Sequence, residues 1–259
     1  MKKALRLLED KTFCVITGAG LSTDSGIPDY RGEGSAPQKP LDFEPFIESA
    51  EYRKEFWIDG YKDWCDFSPA QPNDAHLAIA LLDQIGFVNG VITQNVDGLH
   101  YKAGSEVVAE LHGNMYTTSC LRCGFTVSTE EFVDLLELGN PSLLTNNVDT
   151  ENFWVPNCSA CAGPMKPDVT FFGELLPLGA FELAGEIAKD ADVIVVAGTS
   201  LNVFTPMTFI QTAKSMGKPI IVINRGKTMV DKMANLKIHA SVSDVFPELC
   251  NQLPMPVYI

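Results

Sequence analysis

Positive charge is scarce in this chain: 19 Lys and Arg stand against 33 Asp and Glu in 259 residues, a formal net charge of −14. That balance argues against a broad basic footprint, so no nucleic-acid partner is expected, while a cationic, lysine-bearing protein remains compatible with it. Long apolar runs are missing too. No segment approaches the roughly 20 apolar residues of a membrane span, and Met1-Lys2-Lys3 is not followed by an apolar stretch of signal-peptide length. No membrane association and no secretion are therefore expected. The chain also lacks an Arg-rich, acid-poor leader, which makes the cytoplasm the expected location. Repeats and low-complexity tracts are absent, and nothing in the letters speaks to oligomeric state.

What is present begins with seven cysteines, four of them in two Cys-x-x-Cys pairs, Cys120/Cys123 and Cys158/Cys161. A thiolate pair two residues apart chelates one ion, and a second pair completes a tetrahedral four-sulfur shell. Glycines beside both pairs, Gly124 and Gly163, suit the tight turns of such a site. One structural Zn2+ is the expectation, against two disulfides or four buried core thiols. Cys14, Cys65 and Cys250 are left over as ordinary thiols.

Hydrophobic residues make up 46 % of the chain, ample for one large domain or a domain with a small insert. Short apolar, β-branched runs at 13–17, 88–93, 192–197, 220–224 and 237–242 alternate with helical patterns at 73–85, 180–189 and 205–216. Leu77, Leu81 and Leu82 form the expected buried stripe of the first of these helices, and Pro206 marks the start of the last. This alternation predicts a parallel sheet covered on both faces. The cysteine pairs fall between the second and third strands and flank a short helix at 129–138, with Thr129 as its expected cap, so they belong to an insert.

Ligands of an open parallel sheet bind beyond the carboxyl ends of its strands. Here those ends read Gly18-Ala19-Gly20-Leu21-Ser22, Gln94-Asn95-Val96-Asp97-Gly98-Leu99-His100, Gly198-Thr199-Ser200 and Asn224-Arg225-Gly226. Glycines in the first let backbone N–H groups approach a pyrophosphate. An ordinary dehydrogenase is disfavoured: Thr23 replaces the fingerprint's third glycine, and no strand ending in Asp or Glu follows some 20 residues on.

Longer motifs run from Gly18 through Ser25-Gly26-Ile27-Pro28-Asp29-Tyr30-Arg31, and include Thr93 with the Gln94 run, Leu111-His112-Gly113, the paired cysteines, Lys166-Pro167-Asp168-Val169-Thr170-Phe171-Phe172-Gly173-Glu174 and Gly198-Thr199-Ser200-Leu201. Together they resemble the sirtuins, NAD-dependent protein-lysine deacylases, and Gln71-Pro72-Asn73-Asp74-Ala75-His76 with the long insert is most similar to the class II branch. The resemblance implies a Rossmann-like doubly wound sheet (1–30, 86–112 and 165–259), a helical cofactor-loop and small-domain segment (31–85) and a zinc-binding insert (113–164), with NAD and an acyl-lysine peptide meeting in a cleft. It further implies that Gly18, Ala19, Gly20 and Ser200 hold phosphates, with Ser22, Thr23, Gly198 and Thr199 in the same loops. Asn224, beside Arg225 and Gly226, takes the adenine ribose, and Val242 the adenine edge. Asn95 and Asp29 position the nicotinamide end, Gln94 and Asp97 organise its ribose, and Arg31, beside Tyr30 in the same cofactor-binding stretch, meets the phosphates or seals the pocket. His112 is the implied general base, acting with Asn95 and Asp97, while Val169, Phe171, Phe172, Gly173 and Glu174 give the peptide main-chain hydrogen bonds.

That reaction is chemically coherent. Loss of nicotinamide leaves an electron-poor ribose carbon that the acyl-lysine amide oxygen captures if held in line, and a ribose hydroxyl must then lose a proton to an imidazole. His76, His100 and His239 are read as structural or exposed. At the wall where some family members read an anionic acyl chain with Tyr and Arg, this chain places Trp57, Asp59 and Gly60, so poor removal of succinyl groups is expected. Trp57, Trp64 and Phe67 line an apolar channel or belong to the core. Two other readings are a protein mono-ADP-ribosyltransferase and, less favoured, a non-catalytic NAD-sensing module.

Overall fold

The first apolar run explains the architecture. Phe13 and Val15 pack into one hydrophobic cluster while Cys14 and Ile16 pack into another, so this strand is buried on both faces. In the computed structural model, which describes residues 1–29, 40–145 and 148–253, that run is β1 (Phe13–Thr17). It is followed by β2 (Val88–Thr93), β3 (Val108–Glu110), β4 (Gly113–Cys120), β5 (Thr126–Ser128), β6 (Met165–Val169), β7 (Val193–Ala197), β8 (Ile220–Ile223) and β9 (Leu236–Ile238). Six strands form one sheet in the order β3-β2-β1-β7-β8-β9, every pairing parallel. The order reverses direction between β1 and β7, as in doubly wound dinucleotide folds, and the crevice outside that reversal is where such folds bind ligands. Helices Lys2–Leu8, Asp74–Gln84 and Val242–Gln252 cover one face, Leu178–Asp190 and Thr205–Ser215 the other.

Contacts divide the chain into two units. The larger holds the described residues of Met1–Gln38, Ala70–His112 and Leu176–Ile259, the smaller those of Lys39–Pro69 and Gly113–Leu175. The sequence reading drew these borders elsewhere. Segment 70–85 goes with the larger unit because Ala75, Ala78, Ile79 and Leu82 pack into its core, and segment 165–175 goes with the smaller because β6 pairs with β4. The smaller unit contains an antiparallel sheet, β5-β4-β6, against which helices Ala50–Phe67 and Thr129–Gly139 bring Trp57, Phe132 and Leu136. Trp57 is a core residue, its indole N–H donating to the Met165 carbonyl at 3.3 Å and its ring 4.4 Å from that of Phe132. Trp64 packs edge-on against Tyr116. Among the described residues no helix is long and apolar enough to cross a membrane.

Three local expectations are corrected. Residues 237–242 are not one strand. β9 stops at Ile238, and Ser241 precedes a helix whose Val242, Val245, Phe246 and Leu249 recur at helical spacing, a signal masked by Pro247 inside it. Thr129 is not the cap of its helix. Ser128 accepts from the Glu131 N–H while Glu131 accepts from the Ser128 N–H, a reciprocal capping box, and the Thr129 hydroxyl pairs instead with buried Thr118. In helix Asp74–Gln84 the stripe is rotated: Leu77 and Leu81 are about half exposed, and Ile79 and Leu82 are buried. Ile79→Ala should therefore cost about 2–5 kcal/mol, and Leu81→Gln less than about 0.5 kcal/mol, in urea denaturation followed by circular dichroism; the opposite ranking would refute the assignment.

Candidate active site and metal centre

In the larger unit the chain after β1 turns through two 3-10 segments, Ala19–Leu21 and Thr23–Ser25. It lies so close to the chain after β7 that side chains are forbidden. A Cβ on Gly20 would sit 2.8 Å from the Gly198 carbonyl oxygen, and one on Gly198, whose φ is +61°, 2.5 Å from the Leu21 nitrogen. Small residues here serve backbone-to-backbone contact. Asn73 braces the same turn: its amide N–H groups reach the Leu21 carbonyl at 2.8 Å and Ser25 at 3.0 Å, and its oxygen caps helix Asp74–Gln84. The sequence reading takes Asn73 as the first residue of a helical pattern and as part of the Gln71 to His76 motif. An Asn directly before an apolar periodic run is a signal for the cap, but none exists for the second duty.

The segment after β2 is locked onto these loops. Gln94 Nε2 donates to the Thr17 carbonyl at 3.3 Å and to Thr199 Oγ1 at 3.0 Å, and Asn95 Nδ2 donates to the Gly18 carbonyl and Ser22 Oγ, both at 3.1 Å. Ser22 in turn donates to Asp97 Oδ2 at 2.6 Å, and Asp97 Oδ1 accepts the Leu99 N–H at 3.0 Å. Each amide side chain uses both N–H bonds inside the protein, so each has only a carbonyl oxygen to offer a ligand. Such acceptors suit hydroxyl and carboxamide donors. Asn95, Asp97, Ser22 and Thr199 are all buried.

His112 follows edge strand β3, where the Leu111 N–H bonds the Thr93 carbonyl at 2.9 Å. Its Nδ1 lies 3.1 Å from the Gln94 carbonyl. A carbonyl only accepts, so Nδ1 carries the proton and Nε2 is left with a lone pair: a positioned neutral base. Burial lowers its pKa below the ordinary histidine value, partly offset by the bond to Gln94. Thr23 bonds back to the Gly20 carbonyl at 3.3 Å. Asn224 follows β8, its N–H on the Ile238 carbonyl and its side chain on the Gly226 carbonyl, and the Ser200 carbonyl accepts from the Met229 N–H. The Arg225 carbonyl lies 3.1 Å from His239 Nδ1. Val242 opens its helix with its side chain in the core, which leaves only main-chain groups for a ligand. Asp29 closes the described stretch, and Tyr30 and Arg31 lie outside the described residues. The structure thus gathers the ends of β1, β2 and β7 and His112 into one hydrogen-bonded set.

In the smaller unit the two cysteine pairs form matching turns. The Cys120 N–H bonds the Phe125 carbonyl and the Gly124 N–H bonds the Cys120 carbonyl; correspondingly, Cys158 N–H bonds Gly163 and Ala162 N–H bonds Cys158. All four Sγ atoms lie within 4.8 Å of one another, with Cys120–Cys161 at 3.5 Å and Cys123–Cys158 at 3.7 Å. A disulfide requires about 2.05 Å, whereas a tetrahedron with Zn–S near 2.3 Å has edges of about 3.8 Å. The thiols fit one zinc ion, and four sulfur ligands leave it no open position for chemistry.

The segment following β6 is held from within. Buried Lys166 donates to the Val169 carbonyl at 2.7 Å and the Pro167 carbonyl at 3.0 Å, pairs with Glu174 at 3.1 Å, and sits 4.4 Å from the Phe171 ring centre. Burial lowers the lysine's pKa and Glu174 partly restores it. Both main-chain groups of Phe172 pair with Leu41 and Phe43, and both of Phe171 with Glu174. The sequence reading gives Val169, Phe171 and Phe172 to a peptide; several of their main-chain groups already have partners within the protein, and a carbonyl so bonded can accept a second hydrogen bond.

The Sir2 family model matches residues 18–205. An "NAD-dependent protein deacetylase 1" of Mycobacterium avium is 36 % identical over 97 % of this chain and 95 % of its own length. The bovine "NAD-dependent protein lipoamidase sirtuin-4, mitochondrial" is 36 % identical over 92 % and 81 %. A solved Sir2 structure with a p53 peptide and NAD+ aligns with a TM-score of 0.84 at 32 % identity, covering 97 % of this chain and 98 % of the other. Fold, strand-end loops and thiol cluster agree with that match: the chain belongs to the Sir2 family, the sirtuins. Cys120→Ser is expected to lose stoichiometric zinc and unfold the insert, since such sites supply about 10–16 kcal/mol of folding free energy; metal analysis with limited proteolysis checks this, and a metal-loaded, protease-resistant variant would contradict it.

Proposed function

We propose that this protein is an NAD-dependent protein-lysine deacylase that transfers the acyl group of a modified lysine to ADP-ribose and releases nicotinamide. The observation that carries the reading is the set joining Gln94, Asn95, Asp97 and Ser22 to the glycine loops, with His112 anchored on the same segment and its Nε2 free to accept a proton. The names of the deacetylase and lipoamidase relatives, and the peptide and NAD+ in the similar structure, support it. When bound, NAD supplies an electron-poor ribose carbon and a nicotinamide leaving group.

In this reading the loops at Gly18–Gly20 and Gly198–Ser200 receive the phosphates, and Asn224 and the main chain at Val242 receive the adenosine end. Asn95 and Gln94 hold the nicotinamide riboside by their oxygens, and the carboxylate of Asp97, fixed by Ser22 and the Leu99 N–H, keeps those side chains in register. His112 takes the ribose hydroxyl proton. On the peptide side, the main chain of Val169 and of Phe171 to Glu174 is the candidate, since a carbonyl already bonded within the protein can accept a second hydrogen bond. Zinc takes no part in the reaction. The likeness to sirtuin-4 supports a class II placement, and we keep the cytoplasm as the proposed location.

Incubation with NAD and an acetyl-lysine peptide should yield nicotinamide, free peptide and acyl-ADP-ribose in equal amounts. Nicotinamide with ADP-ribosylated protein and no free peptide would overturn the reading in favour of ADP-ribosyl transfer. A succinyl-lysine peptide should turn over poorly. On helix Ala50–Phe67, Trp57 and Gly60 stand where some family members carry the Tyr and Arg that read an anionic acyl chain, and Asp59 lies between them. His112→Ala should lower kcat by about 10²–10⁴-fold without unfolding the protein. Because only neutral imidazole is a base and burial lowers the His112 pKa, the acid limb of kcat/KM should lie below pH ~6.5, activity falling as pH drops through it; a limb above pH 7 would contradict that role.

A further inference from the structure

Two histidines beneath the strand ends have no part in the reaction as described. His76 and His100 are buried, 0 % and 2 % exposed, with ring centres 5.0 Å apart. Their contacts fix their tautomers. Thr17 Oγ1 donates its one proton to Thr93 Oγ1 at 2.8 Å, so the 3.0 Å contact between Thr17 Oγ1 and His100 Nε2 requires a proton on Nε2. Thr93 Oγ1 also accepts the Asn95 main-chain N–H at 3.0 Å. The result is a relay from His100 through Thr17 to Thr93 that ends on the backbone of the residue whose side chain grips Gly18 and Ser22. His76 Nδ1 accepts the Asn73 N–H at 3.4 Å, which puts its proton on Nε2. Buried His76 Nε2 and His100 Nδ1 are the atoms left without partners, one a donor and the other an acceptor. Burial holds both pKa values down, His76 to about 4 despite the attraction of Asp97, and His100 well below its ordinary value, with His76 adding repulsion. Both rings are neutral at neutral pH.

We propose that His100 is a positioning residue for NAD: as a neutral Nε2–H donor it orients the Thr17 and Thr93 hydroxyls that fix the Asn95 backbone, and through it the acceptor set facing the nicotinamide riboside. A packing role would be satisfied by any side chain of similar shape, but the relay needs a donor at one atom. This rests on the deacylase reading for its readout and not for its geometry.

The test measures KM for NAD, KM for an acetyl-lysine peptide, kcat and zinc content in His100→Leu, Thr17→Val, the double variant, and the donor-restoring His100→Gln and Thr17→Ser. KM for NAD should rise about tenfold in each of the first two, the scale of one net hydrogen bond, with peptide KM and zinc content unchanged. The double variant should be no worse than either single one, because both break one relay. His100→Gln, whose amide N–H falls near the place of Nε2–H, and Thr17→Ser should return to within about twofold. An unchanged KM for NAD in folded His100→Leu, independent effects in the double variant, or failure of both restoring variants overturns the proposal. If His100→Leu does not fold, Thr17→Val against Thr17→Ser decides by the same measurement. A wild-type protein that binds NAD in calorimetry without turning over peptide overturns the deacylase reading alone, and calorimetric NAD affinity then decides the relay; one that does not bind NAD overturns both.

Discussion

Backbone touching backbone at Gly20 and Gly198 is the constraint on which the nucleotide site depends. At that point β1 and β7 lie side by side, the winding of the sheet reverses, and no Cβ can be accommodated on either glycine. Because the two loops meet without side chains between them, Gln94 and Asn95 can reach across from the next strand and tie both. Their N–H bonds then face protein and their oxygens are left for a ligand. The chemistry of the site follows from the direction of those donors, which the sheet order sets.

The smaller unit solves a different problem by the same economy of backbone. Its sheet has three strands, and its core of Trp57, Phe132, Leu136 and Met165 is modest. Two matched turns bring four thiols within bonding range of one ion, which links β4 to the approach of β6, and buried Lys166 fixes the chain that follows. Its ammonium group holds two carbonyls and one carboxylate there. A metal and a lysine thus do in this unit what extensive burial does in the other.

The central sheet and the thiol cluster were legible in the letters because each is a local pattern: β-branched runs of strand length, and cysteines two apart. The Gly18, Gln94 and Gly198 segments were legible as strand ends. What could not be read is orientation. The helix at 74–84 is recognisable by its spacing, yet Leu77 and Leu81 face outward, since the small residues Ala75 and Ala78 let Ile79 and Leu82 approach the sheet. Residues 237–242 read as a strand because Pro247 hides the helical period of Val242, Val245, Phe246 and Leu249. Phe172 and its neighbours were named by motif, but which of their main-chain groups are already bonded depends on Leu41, Phe43 and Glu174, contacts between segments distant in sequence or folded back on themselves. His100 reads only as structural or exposed, since a lone histidine carries no sign of the hydroxyl it will meet.

The central claim is that the amide oxygen of an acylated lysine displaces nicotinamide from ribose while His112 takes a proton. Isotope tracing tests it most directly. An acetyl-lysine peptide labelled with ¹⁸O in the acetyl carbonyl is turned over with NAD in unlabelled water, and the products are separated by mass spectrometry. The account predicts the label on the ADP-ribose portion of the product, carried there by the new bond to the ribose carbon. Label retained in free acetate, with ADP-ribose carrying only oxygen from water, would contradict it.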